Sequence, residues 1–143
     1  MSACGSRVKS CPESVESFIT NLYNNYVFNY GELDSIAVNF SPALLDSLHK
    51  AYWQEYDGEF GPDDPGYAVW LFRTCASDGA QSLDSISVEG RDLYTAHITD
   101  AGTPCTCTMH ITVQNGTPVL TGFKTQFTNS GQPVCRRILF PER

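Results

Sequence analysis

The six cysteines of this sequence offer the widest choice of chemistry, and two of them lie close to a histidine. Cys105, Cys107 and His110 fall within one short stretch, and zinc sites are built from these residue types. The stretch alternates apolar and polar residues, as a strand does, which directs Cys105 and Cys107 to one face and His110 to the other. The spacing also differs from that of tetrahedral Cys₂His₂ sites. We therefore predict neither a metal site nor a cofactor.

Disulfide formation is the second chemistry open to these cysteines. Residues two apart on a strand, such as Cys105 and Cys107, lie about 6.5–7 Å apart, which is the upper limit for a direct bridge. In an oxidising compartment we predict a bridge from one of them to Cys75 or Cys135. The alternative is that Cys105 and Cys107 are small apolar residues buried in a core strand, where cysteine is common.

Nucleophilic catalysis would need a histidine beside a nucleophile. The three histidines are predicted to lie at the surface, because His97 and His110 fall on strand faces opposite the apolar residues and His49 lies among polar residues of a helix. The sequence contains no nucleophile-elbow, phosphate-loop or zinc-protease motif. We therefore predict that the protein is not an enzyme.

Carboxylates limit the enzyme alternative further. The strand positions predicted to face inward carry no carboxylate; they are Ile86, Val88, Tyr94, Ala96, Ile98, Cys105, Cys107, Met109, Ile111 and Val113. An enzyme with a buried general acid would instead need Asp34, Asp46 or Asp84 to lie in a cleft opposite a tyrosine. The acidic stretch at residues 57–64 lacks the register of a calcium loop, and we predict a solvated loop there.

The charge of the chain excludes one class of partner. Nine lysines and arginines against sixteen aspartates and glutamates give a net charge of −7. Nucleic acids require a basic surface, so we predict no nucleic-acid partner. The negative charge suits a basic partner, and an acidic inhibitor or immunity protein that covers a basic toxin is one alternative function.

Aromatic side chains are the residues best suited to line a binding cleft. Tyrosine and tryptophan carry a polar group on a large ring, which suits a pocket that is partly solvated. The predicted cleft residues are Tyr23, Tyr26, Trp53, Tyr67 and Trp70. The predicted ligand of such a cleft is a protein partner or a small apolar molecule.

Two amphipathic helices are predicted in the first half of the chain. Apolar residues recur at helical spacing over 15–27, and Gly31 is placed to end that helix. Ser41 is placed to cap a second helix whose first residue is Pro42. The stretch at residues 67–76 fits a helix or a strand equally well.

The second half changes to the alternation typical of antiparallel strands. Strands are predicted at residues 85–89, 92–99, 105–114 and 118–127, with a short last strand at 134–140. Turns are predicted at Gly90–Arg91 and Asn115–Gly116, a bend at Gly122 and a loop at 128–133. Helices followed by such a meander predict an α+β fold, with N-terminal helices packed on a curved antiparallel sheet of about four strands.

Three stretches carry a resemblance to a known family. The helix containing VESFITNLYNNYV, the helix start FSPALLDSL and the strand GTPVLTGFKT lie in order between about residues 13 and 127. Together they resemble a domain family of unknown function among small bacterial lipoproteins, in the nuclear-transport-factor-2-like, cystatin-like superfamily. The resemblance implies a cone-shaped fold with a cleft between helix and sheet. It implies no reaction, because that superfamily includes isomerases, dehydratases, transport factors and binding modules.

The N-terminal residues support the lipoprotein interpretation. Ser2, Ala3 and Cys4 match all but the first position of the pattern that ends bacterial lipoprotein signals. By this resemblance Cys4 carries a lipid, residues 1–11 form a leader or tether, and residues 12–143 form a single α+β domain. The alternative is an ordinary cytoplasmic protein that begins at Met1.

The sequence thus favours a non-enzymatic binding domain of the periplasm or cell envelope, attached to the membrane only through a lipid on Cys4. The alternatives are a small isomerase-like or dehydratase-like enzyme of the same fold and the acidic inhibitor described above.

Overall fold

The chain folds as α+β, with two helices and a five-stranded antiparallel sheet. The computed structural model describes residues 11–29, 37–56, 69–74 and 79–139, without the side chains of residues 55, 56 and 69. The helices are α1 (Glu13–Asn21) and α2 (Pro42–Tyr56). The strands are β1 (Gln81–Gly90), β2 (Leu93–Asp100), β3 (Thr103–Gln114), β4 (Thr117–Asn129) and β5 (Gln132–Ile138), and they follow one another across the sheet in that order. The predicted class is confirmed, with five strands rather than four.

The first helix buries the apolar face that its spacing predicts. The seven predicted residues are all buried: Val15, Phe18, Ile19, Leu22, Tyr23, Tyr26 and Val27. The α-helix ends at Asn21, however, and the chain continues as a π-helix over Leu22–Val27. The apolar spacing does not change at Asn21, so the sequence pattern gives no sign of this wider turn.

The second helix begins as predicted. Ser41 Oγ accepts a hydrogen bond from the backbone N–H of Leu44 at 3.2 Å, and Pro42 is the first helical residue. The hydroxyl satisfies one of the amides that a helix start leaves without an internal partner. Leu44 and Leu48 of this helix are fully buried.

Tight turns join the strands. Three two-residue turns have positive φ at both positions: Ala101–Gly102 (52° and 87°), Asn115–Gly116 (54° and 80°) and Ser130–Gly131 (53° and 81°). Such turns match the twist of paired strands. The segment predicted as a loop at 128–133 is instead the end of β4, the Ser130–Gly131 turn and the start of β5. The predicted turn at Gly90–Arg91 is displaced by one residue, because Gly90 pairs with Leu93.

Two features shape β4. His110 pairs with Gly122 and Ile111 with Leu120, so Thr121 is an extra residue in the ladder, next to the predicted bend. β5 pairs only with the second half of β4. The first half is covered by the approach to α2, where the Ser41 N–H donates to the Leu120 carbonyl at 2.9 Å. The part of β4 that β5 leaves unpaired is therefore partly covered at Leu120.

The core lies between the helices and one face of the sheet. Seven of the ten strand positions predicted to face inward are buried: Tyr94, Ala96, Ile98, Cys105, Cys107, Met109 and Ile111. Ile86 and Val88 are half-buried because they lie on the edge strand β1. Val113 is wrongly predicted, since it is 46% exposed close to the Asn115–Gly116 turn at the end of β3. Residues 69–72 form a 3₁₀ turn, neither the α-helix nor the strand considered above.

Candidate binding groove

The structure separates the aromatic residues of the predicted cleft by their burial. Tyr23 and Tyr26 belong to the core, with 0% and 3% of their surface exposed. Trp70 is half-buried, and Trp53 is exposed on α2. Tyr67 lies outside the described residues.

Aromatic packing fills the space between the helices and the sheet. The rings of Phe72 and Phe123 stack with centroids 4.0 Å apart, and Phe40 meets Phe18 edge to face at 6.5 Å. The Tyr23 hydroxyl donates to the Phe72 carbonyl at 2.8 Å. A fully buried tyrosine whose hydroxyl is bonded to the backbone belongs to the core. Tyr23 therefore stabilises the fold.

A buried ion pair fixes residues 70–74, which we call the anchored segment. Asp100 is fully buried and accepts hydrogen bonds from Arg73 Nε at 3.0 Å and Nη2 at 3.2 Å. The Thr74 hydroxyl (2.8 Å), the Thr74 N–H (3.1 Å) and Gln81 Nε2 (3.0 Å) donate to the same carboxylate. Burial raises the pKa of Asp100, but the hydrogen bonds from Arg73, Gln81 and Thr74 outweigh it and leave the pKa below its ordinary value. Asp100 is thus ionised and stabilises the segment.

The sequence prediction omits the buried residue Asp100, although the alternation of this strand indicates that its side chain faces inward. The predicted inward set on this strand ends at Ile98, and the same alternation continued by two residues gives Asp100. A second anchor comes from β5, where Arg136 Nη1 donates to the carbonyls of Trp70 and Arg73, both at 2.9 Å. The anchored segment is therefore tied to two strands of the sheet.

Two further carboxylates lie on the exposed side of β1. The pKa of Asp84 is lowered by hydrogen bonds from the hydroxyls of Thr99 (2.6 Å) and Ser82 (2.7 Å). The pKa of Glu89 is lowered in the same way, chiefly by the Ser87 hydroxyl at 2.8 Å. Both groups are ionised at neutral pH and unsuited to act as general acids.

The other acids considered above lie elsewhere. Asp46 is exposed and pairs with Lys50 one turn along α2, at 3.1 Å. Asp34 and the acidic stretch at residues 57–64 lie outside the described residues. Within the part of the chain that the structure describes, no three metal-binding side chains come together.

The histidines of the sheet bond to hydroxyls on the face away from the core. His97 Nε2 lies 2.9 Å from Ser87 Oγ, and His110 Nδ1 lies 2.6 Å from Thr121 Oγ1. The Ser87 hydroxyl proton is donated to Glu89, so Ser87 accepts from His97. A serine nucleophile needs the opposite arrangement, in which the histidine accepts the hydroxyl proton.

The described thiols differ in burial. Cys105 and Cys107 are free thiols in the core, and burial is the main cause that raises their pKa to about 12 and about 11. Because the thiolate is the reactive form, both are poor nucleophiles. Cys11 is half-buried, and burial together with Glu16 raises its pKa.

The register argues against one of the two bridges predicted above, the bridge to Cys135. Cys105 pairs with Phe127, and Phe127 pairs with Val134, so these three residues share the core face. Cys135 follows Val134 on the strand and is exposed on the opposite face. A bridge from Cys105 or Cys107 to Cys135 would have to cross the sheet. Cys75 and Cys4 lie outside the described residues, so the bridge to Cys75 and the lipid on Cys4 stay predictions.

A groove of about 330 Å³ runs between α1 and the edge strand β1. One wall is formed by Glu16, Thr20 and Asn24 with Cys11 at its end, and the other by residues 83–86 of β1. A second hollow of about 570 Å³ follows the outer face of α1 and shares Glu16, Thr20 and Asn24 with the first. Since the two share one wall, we treat them as a single surface and call it the groove.

The chemistry of the groove is acidic and amide-rich. Its described lining contains three carboxylates, those of Glu13, Glu16 and Asp84, and no lysine or arginine. Asn24 lies in the π-helix, and such widened turns frequently occur at functional sites. The sequence prediction missed this site because each wall looks like an ordinary solvated surface until the fold places α1 beside β1.

The sequence matches no family model, no curated protein and no solved structure. Among the described helices, none is both long enough and apolar enough to cross a membrane.

Proposed function

We propose that this chain is a non-enzymatic binding domain that holds a protein partner in the groove between α1 and β1. The observation that carries the proposal is the groove itself, an open polar concavity with carboxylates on both walls. Surfaces of this kind suit recognition by charge and hydrogen bonding.

The state of the chemically active groups supports binding over catalysis. The pKa of Asp100, Asp84 and Glu89 is lowered, whereas a general acid needs a raised one. The buried thiols of Cys105 and Cys107 have raised pKa values, which disfavours a thiolate nucleophile.

A protein partner fits better than the small apolar ligand considered above. The interior is occupied by packed side chains such as Tyr23, Phe72 and Phe123, all fully buried. The groove lies on the outside and is lined mainly by polar residues. Pockets for small apolar ligands are instead mostly apolar and enclose their ligand.

The finer fold and the location are part of the proposal. An antiparallel meander with helices on one face agrees with a cystatin-like cone of the nuclear-transport-factor-2-like type. We further propose attachment to the bacterial envelope through a lipid on Cys4. Mass spectrometry of the native membrane fraction is expected to show acylated Cys4 as the first residue, and an unmodified Met1 would overturn the attachment.

Peptide display tests the binding function. The full chain is immobilised, short random peptides are selected on it, and the enriched peptides are measured again on Glu16→Gln and Ser85→Lys, which change one residue on each wall. We expect enrichment, with binding lost on the groove variants. Either no enrichment or equal binding to the variants would refute the function.

A further inference from the structure

The two edges of the sheet differ in the residues that protect them. β5 carries Pro133 and the cations Arg136 and Arg137, which are residues that keep an edge strand from pairing with another chain. β1 has ten residues without proline, lysine or arginine, and its charged residues are the anions Asp84 and Glu89. The ladder to β2 skips these two residues, so the regular alternation of β1 is interrupted at Asp84 and at Glu89. Among the described residues, no strand pairs with the outer edge of β1.

The outer edge of β1 lies at the groove. Every second residue of an edge strand directs its N–H and C=O groups away from the sheet, where an extended chain can pair with them. Residues 83–86 of β1 form one wall of the groove, so a strand bound there would lie along it. Such strand addition is a common way to bind peptides, with affinity from backbone hydrogen bonds.

The side chains of the groove specify the composition of that strand. Leu83 and Ile86 are half-buried and offer apolar contacts on one face. Asp84 and Glu16 provide negative charge near the other face and on the opposite wall. Because neighbouring strands match side chains face by face, the complementary sequence alternates apolar and basic residues.

The helical wall adds groups that recognise a backbone. Asn24 and Asn25 face the groove, and the side-chain amide of Asn25 donates to that of Asn21. An asparagine amide has donors and an acceptor, so it can bond to a peptide carbonyl and a peptide N–H at the same time. An extended chain is the ligand that offers both along its length.

We propose that the groove binds an extended basic segment of a partner protein, which adds as a strand to the free edge of β1. This inference rests on the binding function proposed above and names the class of partner.

The test uses a synthetic peptide of about eight residues with alternating lysine and valine, a length that suits one strand. It is titrated into the full chain and followed by NMR chemical shifts. One control peptide has glutamate in place of lysine, and another is methylated on every backbone nitrogen. We expect shift changes confined to α1, the π-helix and β1, with affinity about tenfold lower for both control peptides.

Matched variants locate the bound peptide. Ser85→Lys places a cation at the groove edge, and Gln126→Lys places one on an exposed position of β4. Glu16→Gln removes one negative charge inside the groove, and Asp46→Asn removes one outside it. We expect Ser85→Lys to weaken binding about tenfold and Glu16→Gln about threefold, with no change for the two controls. If Ser85→Lys does not fold, Glu16→Gln still tests the location, because it removes one exposed charge and should keep the wild-type fold.

The outcomes separate this inference from the proposed function. Equal affinity for the methylated peptide would overturn strand addition, and equal affinity for the glutamate peptide would overturn the basic partner. Equal binding to Ser85→Lys and Gln126→Lys would overturn the location. In each case the binding function still stands if displayed peptides lose their binding on the groove variants, and it falls if they do not.

Discussion

A carboxylate beside the anchored segment and the carboxylates of the groove have opposite uses. Asp100 of β2 and Arg73 of the anchored segment are both buried, and both oxygens of the Asp100 carboxylate accept hydrogen bonds. In the groove, Glu16 is exposed and Asp84 faces solvent beside an open strand edge. A saturated buried charge stabilises one conformation, whereas an exposed and unbalanced one is available to a partner. Substitutions in the first region should therefore change stability, and substitutions in the second should change binding.

The largest expected effect is the loss of the buried carboxylate. Asp100→Ala leaves the Arg73 guanidinium buried without its counter-ion, which should lower the free energy of unfolding by about 3–5 kcal/mol. Urea unfolding measures it, and Asp46→Ala on the exposed face of α2 is the control, with an expected change within about 0.5 kcal/mol. Similar unfolding midpoints for the two variants would contradict the role given to Asp100.

The pH dependence of stability should come partly from the same group. The pKa of Asp100 is lowered in the folded state, so its stabilisation is complete above the unfolded value of about 3.9. The stabilisation is lost as the pH falls from there through the folded value. The urea midpoint of the wild type should therefore drop below about pH 4 more steeply than that of Asp100→Asn. Parallel curves would show that other groups control acid unfolding.

The anchor at Tyr23 should contribute less. Tyr23→Phe removes the hydroxyl and leaves the buried Phe72 carbonyl without that donor, which should cost about 1–2 kcal/mol. The change should appear as a lower urea midpoint with an unchanged denaturant slope. Unchanged stability would mean that water replaces the hydroxyl, and the anchored segment would then depend on Arg136 and Asp100 alone.

Thiol labelling should detect a peptide bound in the groove without any substitution in the chain, and the expected effect is the smallest of the four. Among the four described cysteines, Cys135 should be labelled first at about pH 8, Cys11 more slowly, and Cys105 and Cys107 only after unfolding. Peptide mass mapping assigns each label. Bound lysine–valine peptide should slow the labelling of Cys11, which lines the groove, and leave Cys135 unchanged. Equal slowing of both would indicate nonspecific protection.

Much of the fold is determined by local signals. The apolar spacing of α1, the Ser41 cap and the Asn115–Gly116 turn act within a few residues, and each is found where the sequence predicts it. The sequence predicts only a loop at Ser130–Gly131, because these residues are typical of loops as well as of tight turns. The hairpin conformation depends on the pairing of β4 with β5.

The functional surface could not be predicted in the same way. The predicted cleft depends on aromatic residues, and the two in the π-helix, Tyr23 and Tyr26, are used for packing. The groove depends on which strand lies beside α1, and this is settled by the order of strands across the whole sheet. The hairpin turns indicate that order, but no short-range pattern indicates that α1 packs beside β1.

Amide hydrogen exchange of β1 tests strand addition most directly. The account predicts that the lysine–valine peptide slows the exchange of outward-facing amides at residues 83–86, because they become donors to the bound strand. The same amides should be unaffected by the fully methylated peptide, and amides of β5 should be unaffected by either peptide. Binding of the lysine–valine peptide with unchanged exchange along β1 would contradict the account, because the peptide would then be held by charge alone.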